Sequence, residues 1–102
     1  MATPTLALYA HLVPKPGKSA EVAAFLKSAL PLAEKEPGTI TWYAFDEDGS
    51  GFGIFDTFAT EAAREAHLNG PIAKALMSKA DELLAEKPKI HKINVLAAKA
   101  GG

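Results

Sequence analysis

Few side chains in this sequence can move a proton near neutral pH. There are three histidines, two tyrosines and no cysteine. His67 closes the run Ala62-Ala63-Arg64-Glu65-Ala66 and precedes Asn69-Gly70, so it falls at the end of a short helix where a pocket mouth can lie. Imidazole titrates close to neutrality and can take the proton of a phenolic hydroxyl. A histidine at a helix C-terminus can equally serve by bonding the last carbonyls.

The other candidates would bind a substrate rather than react with it. His11 and Tyr9 lie two apart in one strand and share a face. They could position a substrate oxygen, or could be interface residues with backbone partners. Trp42 could stack on a planar ring, or could be core. Tyr43 poses the same choice and brings a hydroxyl. Asp56 sits mid-strand among aromatics, where a carboxylate needs a partner. Arg64, His11 and Lys92 are the expected suppliers, and Asp56 could orient a histidine. Asn94, in an otherwise apolar last strand, either lines a pocket or meets solvent. His91 is expected at the surface.

Much chemistry is excluded. Without cysteine there are no disulfides, thiolate nucleophiles or thiolate metal sites. No HExxH, P-loop or GxGxxG occurs. Asp46, Asp48 and Ser50 alternate like calcium ligands, but no glutamate follows at the twelfth position. We therefore expect no metal, and neither a dinucleotide nor a nucleoside triphosphate as cofactor. The formal net charge of −1 leaves no basic excess for phosphates, so no nucleic-acid partner is expected. No apolar run approaches the roughly 20 residues that cross a bilayer. The first five residues have no basic or apolar leader pattern. No membrane association and a cytoplasmic location are the expectation.

These residues must be held by elements that the periodicities define. With 102 residues, one domain is expected, its core spanning about residues 5–99. Leu6 to Val13 reads as a strand, apolar on both faces. Lys18 to Lys35 reads as a helix with Val22, Phe25, Leu26, Ala29 and Leu30 as its inner stripe. Ser19 is its expected N-cap and Pro31 its expected break. Thr39–Phe45 and Phe52–Phe58 read as strands of a hairpin around Asp46–Gly51. Thr60 caps a helix through Leu68, Asn69-Gly70 breaks it, and Pro71 opens another that runs to about Glu86. Lys89 to Ala98 reads as the last strand, and Lys99–Gly102 as a fraying tail. The order strand–helix–strand–strand–broken helix–strand predicts an α+β fold, the ferredoxin-like βαββαβ arrangement with a four-stranded antiparallel sheet. Helices can cover one sheet face only, yet aromatics occupy both. Burying one such side chain is worth roughly 1.5–3 kcal/mol, so a second copy packed sheet to sheet is expected.

The motifs carry a family resemblance. Glu36-Pro37-Gly38-Thr39-Ile40 before the second strand, and the run from Phe55 through Thr60-Glu61-Ala62-Ala63 to His67, resemble the antibiotic-biosynthesis monooxygenase family. The resemblance covers Leu6 to about Lys99. It implies a homodimer, the dimeric α/β barrel, with a pocket between sheet and helices in each subunit. It also implies a reaction: O2-dependent oxidation of quinols or anthrone-like polyketides without metal or flavin, on a small aromatic substrate, with His67 as the catalytic residue. Haem-degrading relatives carry a tryptophan at the position of His67, a histidine at that of Met77 and an asparagine near Ala10. All three differ here, so haem degradation is not implied. A non-catalytic small-molecule binder and an isomerase- or cyclase-like activity stand as the alternatives.

Overall fold

A computed structural model of the chain describes residues 4–99; Met1–Thr3 and Ala100–Gly102, most of the expected tail, lie outside the described residues. Four strands and three helices follow one another: β1 (Leu6–Leu12), α1 (Ser19–Glu34), β2 (Thr39–Asp46), β3 (Phe52–Phe58), α2 (Glu61–Leu68), α3 (Pro71–Leu83) and β4 (Lys89–Asn94). The strands form one antiparallel sheet in the order β2-β3-β1-β4. This is the ferredoxin-like α+β arrangement that the periodicities predict, with the second helical layer broken in two.

The pleat sorts side chains onto two faces. Leu8, Ala10 and Leu12 of β1 and Ile54, Asp56 and Phe58 of β3 face the helices and are buried. Val22 and Leu26 of α1 and Leu76, Ala80 and Leu83 of α3 pack on Ala10, Leu12 and Ile54. Ala29, Ala33 and Ile72 join α1 to the start of α3, and Trp42 packs against both clusters. Trp42 is thus chiefly core. The other face carries Tyr43, Phe55, Tyr9 and His91 in one row across all four strands.

Several local expectations are corrected. Pro31 does not break α1, which continues to Glu34. The proline removes one N–H near the helix end, and the carbonyl it would have served belongs to exposed Lys27, within reach of water. Ser19 is the first helical residue, not the cap; Lys18 holds that place without a side-chain bond. Leu30 is largely exposed, and Ala33 is buried in its stead. Helix α3 ends at Leu83 rather than about Glu86, because Leu84 turns extended and bridges to Pro14. β4 leaves the ladder at Asn94, four residues early. Thr60 caps α2 as expected, its hydroxyl accepting from Ala63 N at 3.1 Å, and Pro71 opens α3.

Candidate functional site

The site forms where α2 lies across β3. Capped by Thr60, α2 turns Arg64 and His67, three apart, onto one face, and both are buried. Arg64 Nη1 donates to the carbonyls of Ala7 and Ile93, each at 3.3 Å, and Nη2 to Glu61 at 2.5 Å. It ties the helix to the sheet and does not meet Asp56. Asp56, 2% exposed, instead meets His67. Its other two expected partners are also committed elsewhere: His11 to Glu47 and Lys92 to Glu65.

His67 is held on both ring nitrogens. Nδ1 lies 2.6 Å from Glu36 Oε1, and Nε2 lies 2.8 Å from Asp56 Oδ2. The second is an ion contact out of line with the N–H, so Asp56 Oδ2 accepts no aligned hydrogen bond. The side chains are 8% exposed for His67 and 15% for Glu36. Thr39 Oγ1 donates to Glu36 Oε1 at 2.7 Å, and the Phe58 ring packs 5.4 Å from the imidazole. Burial is the largest influence on His67 and favours the neutral ring. Asp56 and then Glu36 act against it and prevail, raising the pKa from 6.5 to about 9. At neutral pH His67 is therefore an imidazolium, not the free base that its residue type suggests.

Glu36 was not among the residues that the sequence singled out. It lies in the α1–β2 connection, and Gly38, two residues on, lets α2 approach: a Cβ there would stand 2.7 Å from Ala63 Cβ. The Glu36-Pro37-Gly38 motif thus supplies a carboxylate and the space that brings it to His67. A signal did exist. An acid just past a helix C-terminus opposes the helix dipole and so needs another reason to be there.

Three cavities lie near the candidate residues, besides one of about 380 Å³ that runs from Glu36 and Thr39 to Trp42. One of about 350 Å³ lies between the α1–β2 connection and the α2–α3 corner, with Glu36, His67 and Gly70 in its wall and Leu32, Pro37 and Ala66 among its apolar lining. A cleft of about 40 Å³ reaches Asp56 and His67 from the sheet side, among Leu8, Ile54 and Leu76. The third, about 570 Å³, runs between α1 and β2 and is lined by Trp42, Tyr43, Phe45 and Phe52. Trp42 and Tyr43, the candidates for contact with a substrate ring, therefore line a different groove from His67.

The remaining candidates lie elsewhere. Tyr9 and His11 sit on the face away from the helices, where the Tyr9 hydroxyl donates to Glu47 at 2.8 Å and His11 Nδ1 lies 2.7 Å from the same carboxylate. Hydrogen bonds from Tyr9 and then His11 hold Glu47 below the usual carboxylate range, while burial and then Glu47 push the Tyr9 hydroxyl up. Tyr9 stacks on Phe45 and on exposed His91. Tyr43 is 58% exposed, and Asn94 meets solvent at the end of β4. Among the described residues, no group of three or more His, Cys, Asp or Glu is arranged to hold a metal ion, and no helix is long and apolar enough to cross a membrane.

The fold and site thus define a class: a ferredoxin-like α+β domain with a histidine buried between two carboxylates. The chain belongs to the antibiotic biosynthesis monooxygenase family, whose model matches residues 5–79. It is 51% identical to the NE2512 protein of Nitrosomonas europaea, of unknown function, with a TM-score of 0.95, covering 100% of this chain and 99% of that one. Rv0793 of Mycobacterium tuberculosis shares the fold at 19% identity, with a TM-score of 0.83 and coverage of 96% and 100%. PA3566 of Pseudomonas aeruginosa shares it at 22% identity, with a TM-score of 0.78 and coverage of 95% and 99%. No curated protein matches the chain.

Proposed function

We propose that this protein is a monooxygenase that oxidises a small quinol- or anthrone-like aromatic with O2, without metal or flavin, and that His67 is its charged centre. Family membership supports the reaction class. The site rests on one observation: a histidine buried between two carboxylates in the wall of a cavity of about 350 Å³. Such a volume suits a small organic ligand, for which sites of roughly 300–1,000 Å³ are usual.

The chemistry needs an anion. A hydroxyaromatic ring reduces O2 by one electron far more readily once its hydroxyl has lost a proton. For an anthrone, CH2 then becomes C=O, with one oxygen atom entering the product and the other leaving as water. The His67 imidazolium places fixed positive charge where the substrate anion forms, which lowers the cost of forming it. This changes the role expected from residue type alone, from base to electrostatic stabiliser.

The protein works, on this reading, as a cytoplasmic homodimer packed sheet to sheet. The support is the aromatic row on the open face, with Tyr43 58% and Phe45 37% exposed. One observation favours a second reading. The groove that holds Trp42, Tyr43, Phe45 and Phe52 does not include His67. A planar ligand stacked there would be bound without turnover.

Oxygen uptake by the metal-free protein with hydroquinones and anthrones, beside His67→Gln, separates the readings. The monooxygenase reading expects uptake stoichiometric with substrate, reduced about 100-fold or more in the variant, the scale of losing one group that stabilises developing charge. Binding with no uptake above the spontaneous rate would leave the binder. Turnover that persists without oxygen would point to an isomerase- or cyclase-like reaction.

A further inference from the structure

We infer that Glu36 takes the hydroxyl proton of the substrate, and that the site therefore selects uncharged rings bearing a hydroxyl and rejects anionic ones. The inference rests on the cavity beside His67 being the substrate site. His67 cannot fill this role in the arrangement seen, because Glu36 and Asp56 occupy both of its nitrogens. Glu36 is held by one oxygen only. Oε1 receives His67 and Thr39 at 2.6 and 2.7 Å, whereas Oε2 is buried with no hydrogen-bond partner. A buried carboxylate oxygen without a donor is costly, and a ligand hydroxyl would satisfy it.

No donor of the surroundings bonds Oε2. Leu32, Pro37, Ala63, Ala66 and Pro71 are apolar, and Lys35, the remaining charged residue of the lining beside Glu36 and His67, is exposed. Gly70 keeps space beside Oε2: a Cβ there would stand 3.6 Å from that oxygen. Glu36 lines the cavity, and a ligand hydroxyl reaches Oε2 by a small turn of the soft last torsion, which also lengthens the Oε1 contacts.

Charge gives the selectivity. Glu36 and Asp56 contribute two negative charges and His67 one positive, so the cluster carries a net −1 before any ligand enters. Arg64, on the same helix, is committed to Glu61 and to sheet carbonyls. A carboxylate ligand would bring a second uncompensated charge into a buried site. A neutral phenol adds none. When it reacts, its O–H bond breaks, the proton passes to Glu36 Oε2, and the electron pair stays on the ring oxygen. The His67 imidazolium then lies between that anion and Asp56.

Calorimetric titrations under nitrogen test this, with 2-naphthol, 2-methoxynaphthalene and 2-naphthoate as probes for the wild type and Glu36→Gln. The expected result is that the wild type prefers naphthol to each of the other two by about tenfold or more, and that Glu36→Gln narrows both preferences. Equal wild-type affinity for naphthol and its methyl ether would overturn the inference, and that comparison needs no variant to fold. Unchanged preferences in a folded Glu36→Gln protein would overturn it as well. Because oxygen is excluded, failure of the monooxygenase reading leaves this result intact, and the reverse also holds.

Discussion

Each face of the sheet carries a histidine joined to a glutamate, and the two clusters live in different solvents. On the helix side, His67 is 8% exposed between Glu36 and Asp56. On the open side, His11 and Glu47 are each about a quarter exposed, with Tyr9 donating to the same carboxylate. The groups are alike but what is at stake is not. Water screens the second cluster and can replace any partner that is lost. The first is largely shielded from water, so removing one member leaves a buried charge without its partner. The comparison assigns the two pairs different work. The outer one clasps the β2–β3 turn onto β1, and the inner one fixes a charge beside a cavity.

Substitutions can break or sharpen this contrast, and the largest effect falls on Asp56. Asp56→Ala should cost about 3–5 kcal/mol in a urea titration, the usual loss on breaking a buried ion pair. Asp56→Asn keeps the shape and should cost less. A loss under 1 kcal/mol in Asp56→Ala would place the pair among solvated ones. Titration probes the same contact without mutation. His67 has a raised folded-state pKa, so its stabilising contribution is complete below the unfolded value of 6.5 and is lost as pH rises through about 9. Urea midpoints measured from pH 6 to 10 should fall over that window, and the fall should vanish in His67→Gln.

The next effect tests the approach of α2. Gly38→Ala should cost about 1–3 kcal/mol, because its Cβ would meet Ala63 Cβ, which no rotation can move. Gly53→Ala on the open face should cost less, since the obstructing Phe45 ring is 37% exposed and can swing away. Similar losses at both glycines would remove the distinction. Thr60→Ala, which loses the α2 cap, should cost about 1 kcal/mol. Glu47→Gln should shift the midpoint least of all.

Legibility in the sequence followed the range of the interactions. Period-two and helical patterns are local, so β3 and the start of α3 match their expected bounds. The cap at Thr60 is local as well. Pro31 was misjudged because a proline near a helix end deletes a bond that water can replace. The end of α3 was missed because Leu84 is drawn off by Pro14, seventy residues earlier in the chain. His67 and Asp56 were each recognisable by type, but not as partners. Their meeting depends on how α2 folds back over β3. Glu36 was hidden in a motif that reads as a turn.

The measurement that most directly tests the account is an NMR pH titration of the His67 ring nitrogens in 15N-labelled protein. Both shifts should report an imidazolium at pH 7 and move only as pH approaches about 9. A midpoint near 6.5, or a neutral ring at pH 7, would contradict the buried cation on which the proposed site rests.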